Sequence, residues 1–164
     1  MDVRPVACYY LMSLKTYESE GYKKMADRIS SVARSKNMAA VRAKNTTPEI
    51  YVRKALFKAG CRYRLHYKTL PGSPDIVLPK FRLVVFVNGC FWHGHKCLRG
   101  LNRPASNKAF WNQKLDSNII RDQRNRKELR RSGWKVRTIW TCSLEQGCRN
   151  LLNELAALSA ALSD

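Results

Sequence analysis

Two thiols and two imidazoles fall within eight residues, Cys90-Phe91-Trp92-His93-Gly94-His95-Lys96-Cys97, directly after an apolar run. Thiolate sulfur and imidazole nitrogen are the ligands Zn2+ takes in closed tetrahedral structural sites, so Cys90, His95 and Cys97 can supply three of the four. The fourth must come from elsewhere. Cys142 lies just past the run ending at Trp140, Cys148 is its rival, and His93 is a further candidate in place of Cys142. The competing structural role is that these cysteines act as small hydrophobes in a core. Six cysteines, at 8, 61, 90, 97, 142 and 148, would permit disulfides. A basic chain read as cytoplasmic keeps its thiols reduced, so metal is the expected use of a subset.

Only 12 acids are present, which makes those at structural junctions conspicuous. Asp75 follows Pro74 at the mouth of a strand, the next strand ends at Val87-Asn88 beside the cysteine cluster, and Glu49 stands in the first turn of the preceding helix. This layout resembles the PD-(D/E)xK nucleases, in which an Asp holds Mg2+ against the phosphate. Hard oxygens suit Mg2+ and thiolates suit Zn2+, so two distinct metals are chemically reasonable. The usual acid-x-lysine triplet is missing, because the second strand reads Leu83-Val84-Val85-Phe86-Val87-Asn88 without a charge. His93 is the natural replacement: with His95 on a metal, it can face the opposite side and act as general base on water or touch the scissile phosphate. Asp75 also fits an Asx turn, and Glu49 an acid favoured by the helix macrodipole. Phe91, Trp92 and Trp111 can either pack a core or wedge between base pairs.

The elements that must position these residues are legible from periodicity. Thr47 as cap, Pro48 in the first turn and apolar Val52, Ala55, Leu56 and Ala59 predict a helix over 48–59, stopped at Gly60. Residues 62–67 alternate and predict a strand, 70–74 a turn, 75–78 a second strand and 83–87 a continuous apolar strand covered on both faces. A loop over 98–106, a charged helix from Ser106 or Asn107 to about Arg131, a strand over 134–140 and a helix over 144–162 complete the pattern. The order helix, three strands, helix, strand, helix implies a single α/β domain with a mixed central sheet flanked by helices.

The chain has 164 residues, with 31 Lys and Arg against 12 Asp and Glu, a net charge of +19. At 45% hydrophobic residues it can bury a core and is no extended basic tail. Such a charge draws polyanions through counterion release, with DNA or RNA as the leading partner. Residues 119–137, holding eight Lys or Arg against Asp122 and Glu128, are candidates for phosphate contact. Apolar runs fall short of a membrane span, and the patch Val6–Met12 makes a poor signal peptide, so a cytoplasmic protein is expected. Residues 1–24 show no period. They are read as a disordered or mis-annotated extension, with Met25 a possible start and 25–164 the functional domain.

Taken together, Arg34-Ser35-Lys36-Asn37-Met38, Pro48-Glu49, Leu70-Pro71-Gly72-Ser73-Pro74-Asp75, Asn88 to Cys97, Phe110-Trp111 and Ile139-Trp140-Thr141-Cys142 resemble the very short patch repair (Vsr) DNA mismatch endonucleases. The resemblance runs in order from about residue 28 to 145. It implies a restriction-endonuclease-like fold and a strand-specific nick at a T·G mismatch left by deamination of 5-methylcytosine. By that resemblance Asp75 and the Val87 backbone carbonyl would bind catalytic Mg2+. His93 would be general base or phosphate contact, and Glu49 an outer acid orienting the attacking water or His93. Cys90, His95, Cys97 and Cys142 would hold structural Zn2+. Phe91, Trp92 and Trp111 would wedge from the major groove, and Met38, beside Lys36 and Asn37, from the minor groove. Well-known members carry a second histidine where this chain has Asn88. Asn can hydrogen-bond a water or phosphate but cannot titrate, so the general-base role falls on His93. A monomer acting on duplex DNA, followed by repair and resynthesis proteins, completes what the resemblance implies. The alternative is a zinc-stabilised DNA-binding module without catalysis.

Overall fold

The computed structural model describes residues 44–162, together with Ser30, Val32, Ala33, Lys36, Ala39 and Ala40. In chain order its elements are α1 (Thr47–Lys58), β1 (Arg64–Leu65), β2 (Ile76–Leu78), β3 (Leu83–Asn88), α2 (Leu98–Leu101), α3 (Lys108–Arg131), β4 (Lys135–Trp140) and α4 (Leu144–Ala160). The strands form one sheet in the order β1-β2-β3-β4. β1 with β2 and β2 with β3 pair antiparallel. β3 and β4 are parallel, with Leu83 opposite Lys135 and Asn88 opposite Trp140. This alternation of polarity brings the carboxyl ends of β1, β3 and β4 and the amino end of β2 to one end of the sheet.

β3 is apolar throughout because both its faces are covered, as expected for a strand interior to an α/β sheet. On one face Ile76, Leu78, Leu83, Val85 and Ile139 pack with Val52 and Leu56 of α1 and Leu151 and Leu155 of α4. On the other, Val77, Val84 and Val136 pack against Leu129 of α3. The sheet is therefore sandwiched between α1 and α4 on one side and α3 on the other.

Several boundaries differ from the sequence expectations. The cap of α1 is Thr46 rather than Thr47, because Thr46 and Glu49 satisfy each other's backbone donors as a capping box. The expected strand over 62–67 shrinks to Arg64–Leu65, both exposed, since His66 adopts a left-handed φ of 46° and ends the pairing. The expected loop at 98–106 contains the single turn of α2. Gly100 makes this turn possible, as a Cβ there would collide with the His95 carbonyl oxygen. Among the described residues, no helix is long and apolar enough to cross a membrane.

Leu129 is fully buried at the centre of the α3 face. Leu129→Ala is expected to destabilise the fold by about 2 to 5 kcal/mol, as deletion of a buried leucine does. Ile120→Ala, on the exposed side of the same helix, should change stability by no more than about 0.5 kcal/mol. Urea unfolding of both variants checks this; equal midpoints would mean that α3 does not cover the core.

Candidate active site and metal centre

At the shared end of the sheet a cleft of about 1030 Å³ opens, lined by Glu49, His66, Asp75, Val87, Asn88, Trp92, His93 and Asp122 among others. Asp75 precedes β2 and reaches β3, where its Oδ2 accepts the Val87 amide at 2.7 Å. Val87 thus meets Asp75 through its N–H, at one of the two carboxylate oxygens. Burial raises the Asp75 carboxyl above its ordinary range; the Val87 amide opposes the rise, and the Glu49 charge adds to it. Glu49 is buried at 3% exposure. Its Oε1 accepts the Thr46 hydroxyl at 2.9 Å and the Thr46 amide at 3.4 Å, and its Oε2 accepts the Asn45 amide at 3.0 Å and Arg53 Nη2 at 2.7 Å. The capping role and a place in the cleft therefore coexist in one carboxylate.

His93 sits across the cleft, with Nδ1 2.5 Å from Asp122 Oδ2. A carboxylate on Nδ1 fixes the proton there and leaves Nε2 as the lone-pair nitrogen, the tautomer a general base requires. Sequence reasoning does not place Asp122 at the site; its only signal is an acid within a basic helical run. α3 holds the whole segment after β3. Asn118 donates to the Trp92 carbonyl at 3.2 Å, and Gly94, at φ +60°, lies so close to Ile119 that a Cβ would approach its side chain to 2.4 Å. Asn88 is buried at 5% exposure at the end of β3.

On the other side of that segment the ligand atoms of Cys90, His95, Cys97 and Cys142 lie within 4.8 Å of one another. Two thiolate-capable loops meet here because the parallel register sets Asn88 beside Trp140. The Cys90 amide reaches Thr141 Oγ1 at 3.4 Å, His95 stacks on Trp140 at 4.3 Å, and Cys142 Sγ is 3.4 Å from His95 Nδ1. The His95 imidazole lowers the Cys97 thiol to about 6, whereas desolvation and the neighbouring Cys90 and Cys97 thiols raise Cys142 to about 11. Three thiols so close cannot all ionise without a cation among them, and sulfur and nitrogen donors at this spacing can hold a metal ion. Cys148, the rival for fourth ligand, is buried in α4 and lies outside this group, as does His93.

Phe91, Trp92 and Trp111 form one aromatic cluster with centroids 5.0 to 6.1 Å apart. Phe110 extends it at 5.4 Å from Trp111 and is half exposed. Of the eight basic residues over 119–137, Arg121, Arg124 and Arg126 line the cleft, with Lys44 and Lys68 also lining it. Arg137 instead pairs with Glu154 of α4. Lys36 is exposed; Asn37, Met38 and residues 1–24 lie outside the described residues.

The family model for DNA mismatch endonuclease Vsr matches residues 26–99. The chain is 47% identical over 138 residues to the type II nicking enzyme V.XorIIP of Xanthomonas oryzae pv. oryzae, covering 84% of this chain and 95% of the relative. It is 45% identical over 133 residues to the type II nicking enzyme V.NmeAIP of Neisseria meningitidis, covering 80% and 94%. It is 38% identical over 130 residues to the DNA mismatch endonuclease Vsr of Escherichia coli, covering 79% and 82%.

Two outcomes follow from this geometry. A carboxyl whose folded pKa stands above its unfolded value lets the folded state keep a proton that the unfolded state has lost. Stability therefore declines as pH rises from about 3.8 through the raised value. Asp75→Asn, which retains an oxygen for the Val87 amide, is accordingly expected to raise the Tm of protein whose cleft holds no cation at pH 7 and to change it less at pH 4. A lower Tm at pH 7 would show the carboxylate to be structural. For the second site, Cys90→Ala is expected to lose bound metal and unfold, since metal binding energy there is folding energy. Cys148→Ala, also buried, should keep its metal; metal analysis and circular dichroism distinguish the two.

Proposed function

The chain belongs to the Vsr family of DNA mismatch endonucleases, and from that premise we propose that it nicks one strand of duplex DNA at a T·G mismatch by Mg2+-dependent phosphodiester hydrolysis. Membership sets aside the non-catalytic DNA-binding module. The observation that carries the mechanism is the His93–Asp122 pair and half-buried Asp75 lining one cleft with basic walls.

The donor set fits a hard cation: Asp75 uses one oxygen on the Val87 amide, and ligand atoms of Glu49, His66 and Asp75 lie within 4.8 Å of one another. In this reading Asp75 and the Val87 carbonyl would hold Mg2+, which would supply charge neutralisation at the phosphate and lower the pKa of water. His93 Nε2 takes the proton of the attacking water, and Asp122 stabilises the imidazolium so formed. Asn88 hydrogen-bonds the water or a phosphate oxygen, and Glu49 orients the cationic side of the cleft through Arg53. Arg121 and Arg124 position phosphates without reading sequence.

Phe91, Trp92 and Trp111 open the mismatch from the major groove, with Met38, Lys36 and Asn37 acting from the minor groove at an unstacking cost of a few kcal/mol. Zn2+ on Cys90, His95, Cys97 and Cys142 holds the wedge-bearing segment rigid. The sheet with an acid before β2 is read as PD-(D/E)xK-like. The working unit is residues 25–164, with 1–24 an extension, acting as a monomer in the cytoplasm on nucleoid DNA and followed by repair and resynthesis proteins.

On a T·G duplex with Mg2+, wild type is expected to nick one strand. Asp75→Ala and His93→Ala should bind the mismatch with nicking reduced at least about 100-fold, the lower scale of a general-base contribution. Asp122→Asn should lose less and shift the pH profile. Wild type that cuts T·A and T·G duplexes alike, across varied flanking sequence, would overturn the mismatch reading.

A further inference from the structure

His66 has no part in the mechanism above, yet its imidazole lies in the cleft. The register setting Leu65 against Ile76 carries His66 to the position facing Asp75, and its amide donates to the Asp75 carbonyl at 3.3 Å. The left-handed backbone there, φ 46°, ends β1 at this residue. Its Nε2 stands 3.0 Å from Arg53 Nη2 and 4.0 Å from Glu49 Oε2. A guanidinium nitrogen offers only hydrogens, so Nε2 accepts from it: the imidazole carries its proton on Nδ1 and aims a lone pair at the cluster.

Arg53 Nη2 is therefore a cationic atom on which a carboxylate and an imidazole from separate elements converge. The guanidinium is incompletely satisfied at another atom, because Arg53 Nε is buried with no hydrogen-bond partner among the described residues. Ligand atoms of Glu49, His66 and Asp75 within 4.8 Å of one another compare with separations of about 3.0 Å (cis) and 4.2 Å (trans) in an octahedron of about 2.1 Å bonds. Three ligands include at most one trans pair, and Glu49 Oε2 and His66 Nε2 stand 4.0 Å apart, so closing the set draws the side chains together by about an ångström and displaces Arg53.

Resting on the reading of Asp75 as a cation ligand, we propose that His66 supplies a nitrogen ligand to the same cation, so that the cleft binds a first-row transition ion such as Mn2+ more tightly than Mg2+. Imidazole adds affinity for transition ions, whereas Mg2+ holds to oxygen and gives up its waters reluctantly. Arg53 is then the resident charge that the divalent ion replaces.

The test uses Mn2+ as the probe on full-length protein whose Cys90, His95, Cys97 and Cys142 site is metal-loaded. Affinity comes from Mn2+ titration, and ligand identity from the electron spin echo modulation that a directly bound 14N produces. Wild type is expected to show the 14N modulation and to give up Mn2+ only to a large excess of Mg2+. His66→Asn, which tolerates the left-handed backbone, should lose the modulation and bind Mn2+ at least about tenfold more weakly, the scale on which groups around a metal contribute to affinity. His93→Asn should keep the modulation, which assigns it to His66 independently of how His66→Asn folds. Wild type that binds Mn2+ without 14N modulation, or His66→Asn with unchanged affinity, overturns the proposal while leaving the Asp75 reading intact. Asp75→Asn that binds Mn2+ as wild type does would bring down the Asp75 reading and this proposal with it.

Discussion

The parallel pairing of β3 with β4 is the constraint on which the rest of the structure depends. Because Asn88 lies beside Trp140, the segment after β3 and the turn after β4 emerge at the same end of the sheet. Thiols 45 or more residues apart in sequence are thereby brought within ligand distance. Antiparallel β2 delivers Asp75 to that same end, and antiparallel β1 delivers His66. Parallel strands need a long crossover, and here the crossover contains α3. The helix that makes the topology possible is also the one that supplies Asp122 to His93 and Asn118 to the Trp92 carbonyl.

Two kinds of ligand chemistry are kept apart by a single short segment. Cys90, His95 and Cys97 turn towards Cys142, while His93, between them in sequence, turns towards α3. The first group offers soft sulfur and nitrogen; the cleft offers carboxylate oxygen and one further imidazole. Gly94 and Gly100 allow the segment to lie this close to α3 and α2, where any side chain would collide with Ile119 or the His95 carbonyl. The cleft carries its own cost. Asp75 is half-buried with a raised pKa, so its ionised form opposes folding.

Much of this was legible in the sequence, and what was not has a physical reason. Long periodic segments such as α3 and the apolar β3 announce themselves because burial sets their residue pattern. The spacing of Cys90, His95 and Cys97 is local, so its chemistry can be read directly, but the choice between Cys142 and Cys148 is tertiary and rests on strand register. β1 was overextended because alternation continues past Leu65, whereas the left-handed turn at His66 carries no strong compositional signal. Asp122 is hidden among arginines, and Glu49 has an ordinary helix-capping appearance because it is a cap, while the same carboxylate also pairs with Arg53 and lines the cleft. The +19 charge pointed to a polyanion, and the structure divides it, placing Arg121, Arg124 and Arg126 in the cleft and Arg137 in an ion pair away from it.

In our proposal one end of this sheet carries two chemically distinct cation sites, one for structure and one for the reaction. Anomalous scattering from crystals of zinc-loaded protein soaked in Mn2+, recorded at the zinc and manganese edges, tests it most directly. A zinc peak among Cys90, His95, Cys97 and Cys142 and a separate manganese peak beside Asp75 are expected. Manganese within the cysteine cluster, zinc beside Asp75, or one position shared by both metals would contradict it.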